Sequence, residues 1–142
     1  MTEIAPIVDA ELEVFRQSLP KEDRDETCFD GIPWDVVKAR FIAYRDNRST
    51  EMIDATVHWK NIRISSEANM NKAHARSEQV DLNKPVILIK WKNDVGVIED
   101  RIIDGRHRLF KAVHKGIAVL PAYILSAEEG QLCILPNMPS GI

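Results

Sequence analysis

Residues 104–108, Asp-Gly-Arg-His-Arg, place a carboxylate, a glycine, an imidazole and two guanidiniums on five consecutive positions. These are the groups that handle phosphate. The β-branched pair Ile102 and Ile103 leads into them as the end of a strand, and "RHRLFKAVHK" follows as a helix, so Gly105 is a one-residue joint. Glycine accepts positive φ and lets a ligand approach the backbone without a Cβ in the way. The first amides of a helix have no carbonyl partners of their own, and the helix dipole adds roughly half a positive charge there. Three basic residues at a helix start oppose that dipole, which argues for an anion beside them.

Each side chain has a role in this reading. Arg106 and Arg108 offer charge-assisted, fork-shaped hydrogen bonds to phosphate oxygens. Being two residues apart at a helix start, they splay to different sides, and only one can share a phosphate with His107. His107 serves as a donor or a proton shuttle. Asp104 has three open readings: it holds a Mg²⁺ ion bridging phosphates, it takes a proton as general base, or it caps the helix.

The flanking pattern says what must position these groups. Residues 8–18 have helical spacing, with Asp9 as N-cap and Pro20 as the stop. Residues 21–27 form a charged loop. A helix follows over "GIPWDVVKARFIAYRDNR", with Pro33 at its first position and Trp34, Phe41 and Tyr44 as a core or partner-facing stripe. Residues 53–64 alternate as a short strand or two. His58 and Trp59 there read as a half-buried strand edge or as a stacking pair for a base. A helix capped by Ser65 or Ser66 runs to Val80 and carries His74 and Arg76. The two are within reach of the base, ribose or phosphates of a nucleotide, with Arg76 the binding candidate, against the plainer reading of a solvated helix face.

"NKPVILIKW" reads as a buried strand opening at Pro85, "KNDVG" as a turn, and "VIEDRIID" as the hairpin partner, with Glu99 and Arg101 paired on it. Gly116 closes the helix after the motif, which leaves His114 exposed on the side away from the loop. "IAVLPAYIL" is a further strand, "SAEEGQL" a capped helical turn, and "CILPNMPSGI" a Pro/Gly-rich tail. The plan is α+β with a small mixed sheet. A helical segment over 1–50 packs on a core over 51–142.

Composition narrows the classes. The 142 residues carry 19 Lys+Arg against 22 Asp+Glu, a net charge of −3. That balance argues against sequence-independent coating of DNA, which needs a broad basic face. No apolar run approaches the roughly 20 residues of a membrane helix. The acidic N-terminus lacks the basic region of a signal peptide, so a cytoplasmic protein is expected. Cys28 and Cys133 lack zinc spacing and read as reduced thiols.

Residues 84–125 resemble the core of the ParB/sulfiredoxin superfamily through Pro85, Asp104, Gly105, His107, Arg108, Ala112, Gly116 and Leu120-Pro121. The resemblance implies a compact α+β nucleotide-binding fold whose Gly-x-His-Arg loop cradles phosphates. Sulfiredoxins carry a nucleophilic cysteine before the motif histidine. This chain has Arg106 there, so sulfinic acid repair is not expected. ParB partition proteins bind CTP and add a helix-turn-helix domain, but only 17 residues follow Leu125. Archaeal free-serine kinases of the superfamily carry an Asp-Gly-x-His-Arg motif closer to this one, with the aspartate and histidine implicated in phosphoryl transfer. An earlier glutamate also acts in those kinases. Glu67 is the best-placed acid for it here, with capping or solvation as its plainer role.

The expectation is therefore a nucleoside di- or triphosphate, ATP or CTP, bound with Mg²⁺ at Asp104–Arg108. Asp104 and His107 are its catalytic candidates, for hydrolysis or phosphoryl transfer. The alternative is a regulatory module of the same fold that senses nucleotide or contacts DNA or a protein without turnover.

Overall fold

A computed structural model describes residues 6–66 and 81–136. The described elements are α1 (Asp9–Ser18), β1 (Thr27–Phe29), β2 (Pro33–Asp35), α2 (Val36–Tyr44), β3 (Glu51–Asp54), α3 (Ala55–Ser66), β4 (Val86–Lys92), β5 (Ile98–Asp104), α4 (Arg106–His114), β6 (Val119–Leu125) and α5 (Ala127–Gln131). This is an α+β domain. The main sheet has the order β3-β6-β4-β5, with β4 and β6 parallel and the other pairs antiparallel. α4 is the crossover between the parallel strands. β1 and β2 form a separate hairpin.

Both faces of the sheet are buried, which is why β4 reads as an unbroken apolar run. Val86 and Leu88 point into a core with Trp59 of α3 and Leu109, Phe110 and Ala112 of α4. Ile87 and Ile89 point to the other side, into a core with Trp34 and with Ala39, Ile42 and Ala43 of α2. The period of two breaks once. The pairing runs Leu88 with Ile102 and then Ile87 with Asp104, so Ile103 is the extra residue of a β-bulge. Ile103 then packs on the α2 face, and so does Asp104, in register with Ile87. A bulge of this kind re-aims a side chain.

Local chemistry sets the ends of the elements. The Asp35 side chain accepts from Lys38 N (3.0 Å) and starts α2. The Asp54 side chain accepts from Val57 N (2.9 Å) at the start of α3. α4 closes in a Schellman motif, with Ile117 N donating to Ala112 O (2.8 Å), Gly116 N to Val113 O (3.2 Å), and Gly116 at φ +73°. Ser126 and Glu129 form a capping box on α5. Among the described residues, no helix is long and apolar enough to cross a membrane.

Three expectations about elements are corrected. Pro33 does not open α2. It lies in β2, because Trp34 is drawn into pairing with Cys28 and with Ile134, and the helix begins after the Asp35 cap. Residues 55–64 are helical rather than a strand, since Asp54 caps them and Ala55 and Trp59, four apart, are the buried pair. α1 starts after Val8, with no side-chain cap. The expected helix through residue 80, with Glu67, His74 and Arg76, lies outside the described residues from position 67 on.

Candidate functional site

The bulge delivers Asp104 to a buried cluster of ions. Its carboxylate is 7% exposed and accepts from Arg40 in fork geometry, Nε to Oδ2 and Nη2 to Oδ1, both at 2.9 Å. Arg40 also reaches Glu26 Oε1 at 3.0 Å. Arg108, one turn into α4, brings Nη2 to 3.5 Å from Asp104 Oδ2. Burial pushes the Asp104 carboxyl up, but the Arg40 hydrogen bonds and the charges of Arg40, Arg108 and Lys84 outweigh it and hold it below the usual carboxylate range. On Arg40, burial works against the charged form, and the bonds to Asp104 and Glu26 override it, so its pKa is raised.

Gly105 is the joint the sequence predicts, at φ +105° and ψ 18°. The close approach comes from the protein itself. A Cβ at Gly105 would lie 2.4 Å from Val86 Cγ1 and 2.8 Å from Arg108 Nη2. The first α4 bond runs from Leu109 N to Gly105 O (3.0 Å). Gly105 is the N-cap and offers no side chain to the turn above it, whose amides lie ahead of that first bond.

The two motif arginines diverge, as their spacing requires. Arg106 donates through Nε to Ile102 O (3.2 Å) and brings Nη2 to 3.8 Å from Asp30 Oδ2. It also lines a cavity of about 580 Å³, shared with Asp30, Asn61 and residues 98–102. Arg108 turns the other way, toward Asp104 and Arg40. Its side chain is 11% exposed, and among the described residues its buried Nε and Nη2 have no hydrogen-bond partner. His107 is half-buried in the same turn.

The fold therefore joins Asp104, Gly105 and Arg108 in one cluster and assigns Arg106 to a neighbouring one. Arg76 lies outside the described residues. Arg40, 64 positions before Asp104, has no counterpart in the motif. Its signal in the sequence is a charge inside the buried stripe of α2, between Val36, Val37 and Ala43. Asp104 does not cap α4, because Arg40 takes both of its oxygens.

A Mg²⁺ ion on this carboxylate would have to displace Arg40. Among the described residues, no three His, Cys, Asp or Glu side chains converge as a ligand set. Asp104 as placed therefore does not fit the metal role.

The remaining candidates have structural partners. Trp59 is buried edge-on against Phe110, with centroids 5.3 Å apart, which leaves no face for a base. His58 bonds Asp54 O (2.8 Å) and Asp100 Oδ2 (3.2 Å). Arg101 pairs with Glu99 (2.9 Å) and Asp30 (3.1 Å). His114 is exposed, as expected, and stacks on Phe110. Phe41 is half-buried and Tyr44 partly exposed, both against Phe15 of α1. Cys28 and Cys133 are free thiols. Comparison of the chain with protein-family models, with curated proteins and with solved structures gives no match.

Proposed function

We propose that this chain is a ParB/sulfiredoxin-like module that binds the phosphates of a nucleoside di- or triphosphate at the Gly105 joint. It acts by binding, without turnover at Asp104. The observation that carries this reading is Arg108. Two of its guanidinium nitrogens are buried beside the joint with no hydrogen-bond partner among the described residues. Asp104 at 3.5 Å offsets the charge, but an unmade buried donor still costs about 1–3 kcal/mol, and a native fold retains such a group for a reason. With the side chain swung out of its buried position, a phosphate oxygen at the start of α4 would satisfy it and gain from the helix dipole. Arg40 supports the arrangement by engaging both Asp104 oxygens, so that Arg108 has no fork partner of its own. The same engagement argues for binding over chemistry: a carboxylate held by two guanidiniums and kept ionised is a weak base.

The test uses the purified chain with ATP, CTP and GTP in turn, with and without Mg²⁺, read by melting shift and by phosphate release. At a hundredfold excess over Kd, binding adds about 2.7 kcal/mol of stability. The shift is expected with at least one nucleotide and is lost in Arg108→Gln. Phosphate release abolished by Asp104→Asn would turn the reading to a phosphotransferase or nucleotidase. No shift with any nucleotide would remove the phosphate reading.

A further inference from the structure

β5 is an edge strand. Among the described residues it pairs only with β4. Asn93 N donates to Val97 O at 2.9 Å, so residues 93 and 97 are a hydrogen-bonded pair. By alternation, the β4–β5 register makes Trp91–Glu99 and Ile89–Arg101 hydrogen-bonded pairs too. Ile98, Asp100 and Ile102 must then direct their N–H and C=O away from β4. The Ile102 carbonyl bears this out, because it accepts from the Arg106 side chain on that side. The 580 Å³ cavity runs along this edge, beside residues 98–102.

Charged side chains commonly guard a free edge against pairing. The guard here, Glu99-Asp100-Arg101, is its own complement. We infer that the β5 edge docks a second copy of this chain, strand to strand and antiparallel, about a two-fold axis at Asp100. Residues 98, 100 and 102 all face outward, so that register is permitted. It sets Glu99 opposite Arg101 twice and Ile98 opposite Ile102 twice. Each chain already holds its own Glu99–Arg101 pair at 2.9 Å, and two such pairs meet head to tail as a row of alternating charge. Asp100 meets its own copy, but each carboxylate is already paired with Lys90 at 2.7 Å and bonded to His58. The Ile102 carbonyl keeps a second lone pair for the new ladder.

A second observation agrees. The β4–β5 hairpin ends in three exposed branched apolar side chains, Val95 (82%), Val97 (55%) and Ile98 (54%). Counting along the register carries this tip past the partner's Ile102 toward the start of its α4. Five facing residues make a small contact, so the dimer is weak and concentration-dependent.

Sedimentation equilibrium over a range of concentrations tests the association. Glu99→Arg and Arg101→Glu each set like charges opposite one another twice and are expected to weaken association about tenfold. An equimolar mixture of the two variants restores it, because every pair is then of opposite sign. Asp100→Cys provides a test that does not depend on Arg101, which also anchors Asp30. Hydrogen-bonded antiparallel partners lie about 5.5 Å apart at Cα, within disulfide range, so mild oxidation links Asp100→Cys into dimers and leaves Glu99→Cys unlinked. A monomer at every concentration overturns the inference. So does a dimer insensitive to charge reversal whose Asp100→Cys form does not cross-link.

Discussion

Replacing Gly105 with alanine measures how tightly the strand–helix joint is built. Two costs add. A side chain in the left-handed region costs about 1–2 kcal/mol. The new methyl would also lie 2.4 Å from Val86 Cγ1 and 2.8 Å from Val86 Cβ. Val86 is fully buried in β4, and close-packed interiors leave little room for such a side chain to retreat. Overpacking of this kind costs about 1–3 kcal/mol. The sum, about 2–5 kcal/mol, is a large part of the 5–15 kcal/mol that holds a domain folded. It lowers the melting temperature by roughly 5–20 °C. Urea unfolding followed by tryptophan emission reads this directly, since Trp34 and Trp59 are buried. Adding Val86→Ala removes the nearer contact and leaves the backbone cost, so the double variant is expected to be about 1 kcal/mol more stable than the summed singles. A loss under about 1 kcal/mol for Gly105→Ala, or strictly additive singles, refutes the reasoning.

Three further outcomes follow from the structure. Arg40→Met leaves Asp104 buried without its fork partner and is expected to cost about 3–5 kcal/mol in urea unfolding; a loss below about 1 kcal/mol would show the pair to be dispensable. The folded-state pKa of Asp104 is depressed, so its contribution is present above about pH 4, the ordinary aspartate value, and is lost as pH falls below it. The acid limb of the stability curve should therefore be shallower in Asp104→Asn, and an unchanged limb would exclude this carboxylate as its source. Burial pushes the Cys28 thiol up to about 11 and Cys133 up to about 12. Both should resist alkylation at pH 8 in the native protein and react fully in urea, and prompt native labelling of either would contradict the packing.

The hairpin, α4 and β6 were legible because their signals are local. A nine-residue helix between a glycine joint and a glycine stop, and a strand buried on both faces, are written in adjacent residues. The start of α2 and the whole of α3 differ from the sequence reading for one shared reason. Alternation at Ile53, Ala55, Val57 and Trp59 imitates a strand, and Pro33 imitates a helix start, while the deciding groups are single aspartates. Asp54 and Asp35 each accept a backbone N–H at the true first turn. The motif placed Asp104, Gly105 and Arg108 together but gave no sign of what meets them. Arg40 reaches Asp104 across 64 residues of sequence, a relation that only the packing of α2 on the sheet creates. The bulge was equally hidden, since two isoleucines in a row also suit a regular strand.

That extra residue makes the cluster depend on how β5 counts against β4 rather than on side-chain identity. Deleting Ile102 or Ile103 would return β5 to a simple two-residue repeat and leave Asp104 opposite Ile87, on the α2 side. Keeping both isoleucines but pairing them one to one with β4 would instead set Asp104 opposite Val86, on the side of the sheet that carries Trp59 and Phe110, out of the span of Arg40. Exchanging either isoleucine for valine would leave the phase of the strand intact. The position of the helix start relative to its counter-charge is thus a matter of counting, and a one-residue slip would dismantle it without altering a single motif residue.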